Sequence, residues 1–234
     1  MKPRVYLDAP LKAPGEVSLD DAPAHHLARV LRLREGDTLT VFNGRGGEWD
    51  TQFIGKRRVL LVAFDAVERE SPLRVTLVQG VSSGDRMDYT VQKAVELGVA
   101  AIQPLLTKKG VVRLEGIRAS ARVEHWRKIA IAACEQCGRN RIPDVLPLID
   151  FRDYRPNGEG PRLLLSAQGE SITKMKTESG TTIAAGPEAG FAPDEQAALE
   201  RAGFVRASLG PRVLRTETAA LAAVAALNAL RGDF

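Results

Sequence analysis

From residue 74 onward the sequence alternates short apolar runs with longer helical stretches, and this alternation constrains the fold more than any other feature of the chain. Residues 74–79, 101–105, 162–166, 181–185 and 205–208 read as strands, and residues 85–97, 119–137, 193–202 and 216–230 read as helices. A helix between two strands is the crossover that lets them run parallel in one sheet, so this part of the chain reads as α/β. Ligands of such sheets sit beyond the carboxyl ends of the strands. Alanine dominates residues 219–229, which gives the last helix high propensity and a surface suited to close packing.

Before residue 70 the texture is different. Residues 38–42, 48–54 and 59–64 are strand-like, and Asn43-Gly44-Arg45-Gly46-Gly47 joins the first two. A phosphate-binding loop would need a helix to follow those glycines; Trp49, Thr51 and Phe53 alternate there instead, which is hairpin chemistry. One helix near residues 22–33 carries His25, His26, Arg29 and Arg32, with Leu27, Val30 and Leu31 for its buried side, and its spacing puts Arg29 and Arg32 on one face. The charged, proline-containing Glu68-Arg69-Glu70-Ser71-Pro72 separates the two textures, giving expected domains of 1–70 and 71–234.

The 234 residues are 44% hydrophobic and 26% charged, which suits a globular protein able to bury a core without staples. No apolar run is long enough to cross a bilayer. Lys2 to Tyr6 form no apolar signal core and Asp8 follows closely, so the expected location is the cytoplasm. Cys134 and Cys137 make a single CxxC within a helical run; two ligands do not make a zinc site, and no metal is expected. The net charge of +4 is concentrated in the middle of the chain, where Lys108, Lys109, Arg113, Arg118, Arg122, Arg127, Lys128, Arg139 and Arg141 face only Glu115, Glu124 and Glu135. Such a run is a phosphate-binding stripe or a solvated helix face.

Two late segments carry chemistry. Gly186-Pro187-Glu188-Ala189-Gly190-Phe191 joins a strand to a helix, and its glycines let a ligand approach the main chain. A simple strand-to-helix turn explains them equally well from physics alone. In Ser208-Leu209-Gly210-Pro211-Arg212-Val213-Leu214-Arg215-Thr216-Glu217, Thr216 suits a helix cap and Glu217 the first turn. Capping leaves Arg212 and Arg215 unexplained, since cations are unfavourable just before a helix start. Lys93 and Glu96, three residues apart, suit an intrahelical pair or a site role.

These segments resemble a known family, the 16S rRNA uracil-1498-N3 methyltransferases of the SPOUT class. The 186–191 stretch is similar to that family's GPEGGF loop, departing only at Ala189, and Leu209 to Ala219 is similar to its LG-x-R-I-L-R-x-E-T-A motif. His26 with Val30-Leu31-Arg32, Gln92 to Val99, and Glu135-Gln136-Cys137-Gly138-Arg139 extend the resemblance over nearly the whole chain. Ala189 implies that its backbone position does not need a positive φ.

The resemblance implies an amino-terminal PUA-like β-barrel, a carboxy-terminal parallel sheet with a trefoil knot, and a homodimer. It implies S-adenosylmethionine as methyl donor, S-adenosylhomocysteine as product, and 16S rRNA in the assembled small ribosomal subunit as acceptor. Carried onto this sequence, the donor loops hold Leu165, Ser166, Gly186, Pro187, Glu188, Gly190, Ser208, Leu209, Gly210, Val213, Leu214 and Thr216. Arg215 and Glu217 are the catalytic candidates; Arg4, His26, Arg29, Arg32, Lys93, Arg139 and Arg212 are the RNA-binding ones. An enzyme of the same fold acting on tRNA, or a non-catalytic RNA-binding protein, is the alternative reading.

Overall fold

The computed structural model describes residues 2–234, which group into two compact units: residues 2–70 with Cys134–Ile142, and Ser71–Ala133 with Pro143–Phe234. In the first unit β1 (Arg4–Tyr6), β2 (Gly15–Ser18), β3 (Thr38–Phe42), β4 (Glu48–Phe53) and β5 (Arg58–Asp65) form one sheet in the order β1-β3-β4-β5-β2. The glycine-rich connection makes β3 and β4 the expected antiparallel hairpin, β1 joins β3 in parallel, and β2 pairs antiparallel with β5. Strand alternation sends Trp49, Thr51 and Phe53 inward. Trp49 and Phe53 pack with Leu27, Leu39, Val41, Val59 and Leu61 as one core.

The helix expected over residues 22–33 is shorter and irregular. An α-helical turn, α1 (Asp21–His25), passes into a π-helical turn over His26–Val30, and Arg32 follows at φ 53. Arg29 and Arg32 therefore do not share a helical face, because the path leaves the helix between them. Leu27 is buried and Leu31 packs beside the core; the side chain of Val30 lies outside the described residues.

Residues 134–142 belong to the first unit although they fall within 71–234. The Tyr6 backbone N–H donates to Glu135 Oε1 at 2.9 Å, and Asn140 Nδ2 donates to the Val67 carbonyl at 2.8 Å. Arg4 reaches Asn140 Oδ1 at 2.7 Å and the Gly138 carbonyl at 3.1 Å. Cys134 is buried, which pushes its thiol up to about 12 and makes it an inert core group.

The second unit contains β6 (Thr76–Gly80), α2 (Asp85–Glu96), β7 (Ala101–Leu106), most of α3 (Gly116–Cys137), β8 (Asp144–Val145), β9 (Ile149–Asp150), β10 (Arg162–Ser171), β11 (Thr182–Ala185), α4 (Pro193–Arg201), β12 (Val205–Ser208) and α5 (Thr216–Arg231). Its sheet runs β12-β10-β11-β6-β7-β8, with β9 also pairing β7, and every pairing is parallel. All four residues of β11 are buried, as expected of a parallel strand covered on both faces.

Val78, Leu105, Leu164, Ala184, Phe191, Leu199 and Phe204 form one core cluster, with Leu199 brought in by α4. The buried Gln79 side chain reaches Thr216 at the start of α5, and α5 packs on α2 and β11 with Ala220, Ala223, Val224 and Leu227 buried. Asn228 anchors α5 there by donating to the Leu97 carbonyl at 2.6 Å and accepting from Ser71 Oγ at 3.0 Å.

Candidate active site

Three neighbouring parallel strands bring their carboxyl ends together. Leu165 lies opposite Ala207, Leu164 opposite Ala184 and Ala185 opposite Gln79, so the break in β10 at Ser166, the exit of the chain at Gly186 and the end of β12 at Ser208 fall at one level of the sheet. Chain order separates these residues; the parallel register collects them. β10 does not stop at residue 166 as expected. After an irregular stretch it pairs with β12 again, Glu170 opposite Ala207. Gly169 permits this return, because a Cβ there would stand 2.6 Å from Ala207 N.

The 186–191 loop is held by close backbone packing. A Cβ on Gly186 would stand 2.8 Å from Phe191 N, and one on Gly80 would stand 2.5 Å from Pro187 Cδ. Pro187 is thus seated against the end of β6. Gly190 adopts φ 67 and donates to the Pro187 carbonyl at 2.8 Å, closing the turn, while Ala189 is absent from the positive-φ residues.

Glu188 does not present its carboxylate freely. Its Oε1 accepts from Ser83 N and Ser83 Oγ, both at 2.9 Å, and from Arg86 Nη1 at 3.1 Å. α2 has no side-chain cap of its own at Gly84, so the loop supplies the negative charge that a helix start favours. Burial raises the Glu188 pKa, but the Ser83 and Arg86 hydrogen bonds outweigh it and hold the carboxyl below its usual range.

The 208–215 loop is exposed and partly self-tied. Ser208 Oγ accepts from Gly210 N at 3.2 Å, Gly210 adopts φ 101, and Val213 is 91% exposed. Leu209 and Leu214 are half-buried, Arg212 and Arg215 exposed. Thr216 is not the cap of α5. The N-cap is Arg215, which makes no side-chain capping bond. Thr216 Oγ1 instead donates to the Gly186 carbonyl at 2.5 Å and accepts from Gln79 Nε2 at 2.9 Å.

Gln79 is the residue that reading the sequence for chemistry missed. It is fully buried, and its Nε2 also reaches the Gly80 carbonyl at 2.9 Å and the Gly186 carbonyl at 3.4 Å. One carboxamide therefore ties the end of β6, the 186–191 loop and the start of α5. The available signal was a lone polar residue at the end of the apolar run Leu77-Val78. Glu217 sits in the first turn of α5 with Oε2 buried and without a hydrogen-bond partner among the described residues.

The expected RNA-binding residues divide sharply. Arg4 is internal to the first unit: it pairs with Glu48 at 2.5 Å and lies 5.0 Å from the centre of the Phe42 ring. Arg139 is 3% exposed and grips Glu70 with both Nε and Nη2. Neither guanidinium faces solvent as a phosphate ligand would. His26 is half-buried, whereas Arg29 and Arg32 are exposed. Lys93 pairs with Glu96 on its own helix at 2.8 Å.

The fold and its clustered loops define the class: the chain matches the RNA methyltransferase domain family over residues 69–228 and the RNA methyltransferase PUA domain family over residues 19–64. Ribosomal RNA small subunit methyltransferase E of Buchnera aphidicola (strain APS) is 34% identical, the match covering 99% of this chain and 95% of that one. The protein of that name from Bacillus subtilis is 31% identical over 92% of both chains. A Neisseria gonorrhoeae protein of the same name, solved bound to S-adenosylmethionine, superposes with a TM-score of 0.91 at 40% identity over the full length of both chains. This chain belongs to the ribosomal RNA small subunit methyltransferase E family. The expected α/β class, with a parallel SPOUT-type methyltransferase sheet and an amino-terminal PUA domain, agrees with these matches.

Proposed function

We propose that the protein methylates N3 of a uridine, uracil 1498, in 16S rRNA of the small ribosomal subunit, using S-adenosylmethionine and releasing S-adenosylhomocysteine. The observation that carries the reading is the convergence of the irregular stretch of β10 after Leu165 with the segments after β11 and β12 at one edge, where Gln79 and Thr216 tie the 186–191 loop to the start of α5. The family relationship supplies the reaction class and the small-subunit RNA.

The residues at that edge suit the donor. Leu165, Leu209 and Leu214 offer half-buried apolar walls, and exposed Val213 offers another. Gly190 and Gly210 have nothing within 4 Å of where a side chain would stand, which leaves their backbones open to a ligand. Ser166, Gly186 and Ser208 complete the edge. Glu188, Pro187 and Thr216 act one step back, fixing the loop that binds.

Bound S-adenosylmethionine would supply a sulfonium methyl group for transfer to uracil N3, with S-adenosylhomocysteine as the leaving group. The protein's share is alignment of the acceptor and assistance to an imide that must lose its proton. Arg215, exposed at the start of α5, stabilises the uracil anion, and half-buried Glu217 takes the proton or orients Arg215. Exposed Arg29, Arg32 and Arg212, with His26, contact the RNA; Arg4 and Arg139 hold the first unit together instead. We place the reaction in the cytoplasm, in a homodimer whose methyltransferase sheet is knotted. Among the described residues no helix is long and apolar enough to cross a membrane.

The deciding experiment is transfer of labelled methyl from S-adenosylmethionine to small subunits lacking the modification, followed by nucleoside analysis. N3-methyluridine in 16S rRNA is expected. Donor binding without methylated uridine would redirect the activity to another RNA.

A further inference from the structure

A second concavity in the methyltransferase unit lies away from the donor loops. It encloses about 930 Å³ between the segment after β7, the segment after β9 and the side of α4; Ser166, Gly186, Ser208 and Gly210 do not line it. Leu106, Leu114, Phe151, Tyr154 and Leu199 make it apolar and partly aromatic. Its volume is within the range of small-molecule sites.

The charges around it do not cancel. Lining Asp194 pairs with Lys108, and Asp150 pairs with Arg152 at 2.9 Å. Glu195 is occupied by the backbone N–H groups of Lys108 at 2.8 Å and Ala192 at 2.7 Å. Arg113, Arg155 and Arg201 make no ion pair among the described residues, Arg113 and Arg155 being held by backbone carbonyls instead, and the five lining cations exceed the four lining carboxylates, Glu115 among them, by one. The basic stripe continues this surplus: Lys109, Arg118 and Arg122 are exposed and make no ion pair among the described residues.

We propose that this concavity holds one unstacked nucleotide of the RNA strand, its base against Tyr154 and Leu114 and its phosphate toward Arg155 and Arg201. Three observations converge on that occupant: aromatic and aliphatic walls that suit a base face, lining guanidinium groups with no carboxylate partner among the described residues, and exposed basic residues in the chain that directly follows the lining residues Lys108 and Glu115. Aromatic side chains stack with any base, while arginines follow the phosphates. The site also touches the donor loop indirectly, since the Phe151 ring lies 5.9 Å from that of Phe191, which ends the 186–191 segment. An RNA seated here would be held by the same unit that carries the donor.

The inference rests on RNA being the acceptor, and the test separates the two. Wild-type protein, Leu114→Trp and the double variant Arg155→Gln/Arg201→Gln are compared for binding of a labelled 16S rRNA fragment over a salt series and, separately, for binding of S-adenosylmethionine. Leu114→Trp crowds the wall against which the base is placed and is expected to weaken RNA binding about tenfold, the scale of one stacked base. The double variant is expected to lower the salt slope by about one per arginine. Donor affinity should be unchanged in both. Because Arg155 and Arg201 are exposed, the double variant is readable even if Leu114→Trp misfolds. Unchanged RNA affinity and salt slope in the folded double variant would overturn the proposal, as would weakened donor binding. Wild-type protein that binds donor but no ribosomal RNA would overturn this site and the proposed substrate together, whereas RNA bound equally by all three proteins would overturn the site alone.

Discussion

Gln79 Nε2 lies 2.9 Å from Thr216 Oγ1 across 137 residues of sequence, and both side chains contact the Gly186 carbonyl. A single buried polar cluster thus sets the distance between the end of a central strand, the 186–191 loop and the last helix. Buried hydrogen-bonding groups that lose a partner cost more than the bond itself contributed, so this cluster is sensitive to either member.

Gln79→Leu should leave the Gly186 carbonyl and Thr216 hydroxyl short of a donor at a cost of about 1–3 kcal/mol. If the loop positions the methyl donor, its dissociation constant should rise by about tenfold for each ~1.4 kcal/mol that falls on the bound state. Calorimetric titration with S-adenosylmethionine checks this. Wild-type donor affinity in the variant would detach Gln79 from the site.

Gly80→Ala forces a methyl group to within 2.5 Å of Pro187 Cδ and 2.6 Å of its backbone nitrogen, neither of which is a flexible chain end. The loop must move, and destabilisation of about 1–3 kcal/mol is expected for such overpacking. Denaturant unfolding gives the magnitude. A variant as stable as the parent would show the seat of Pro187 to be loose.

Arg139→Ala should behave as loss of a buried charge partner, leaving Glu70 unmatched, and destabilise the protein by about 3–5 kcal/mol. Arg29→Ala, at an exposed position, should change stability by less than about 0.5 kcal/mol. Their effects on RNA should differ: removing the Arg29 charge should reduce the salt slope of binding by about one, whereas folded Arg139→Ala should leave it unchanged. Thermal unfolding and fluorescence anisotropy read the two quantities separately.

Glu48 and Glu188 give stability a sign with pH. Burial raises the Glu48 pKa, but hydrogen bonds from Arg69 and Arg4 dominate and hold it below the usual carboxylate range; Glu188 is held low in the same sense. Each therefore binds its proton more readily in the unfolded chain. Their stabilisation is present above the unfolded carboxylate pKa and is lost as pH falls through the lower, folded one. Chemical unfolding from neutral pH into the acid range should show stability falling. Glu48→Gln and Glu188→Gln should each flatten that fall while lowering stability at neutral pH.

Much of this molecule was written locally. Alternation of apolar runs with helices gave the α/β unit, and β7, β12, α2, α4 and α5 begin where the sequence signals place them. The glycine-rich hairpin between β3 and β4 and the alternating Trp49, Thr51 and Phe53 were equally legible. These features depend on period, propensity and turn chemistry, which act over a few residues. The two motif segments around Gly186 and Gly210 also stand out without any structure.

Tertiary structure decided the rest, because those decisions are made between residues far apart in the chain. The short edge strands β1, β2, β8 and β9 exist only through their partners. Arg4 and Arg139 have the look of RNA ligands in the sequence, and only packing turns them inward onto Glu48 and Glu70. Thr216 carries the local mark of a helix cap, yet its hydroxyl reaches Gly186 and Gln79 because the parallel sheet brings all three to one edge. Local chemistry determined which elements form; the satisfaction of buried polar groups, which no short window of sequence contains, determined which residues they bring together.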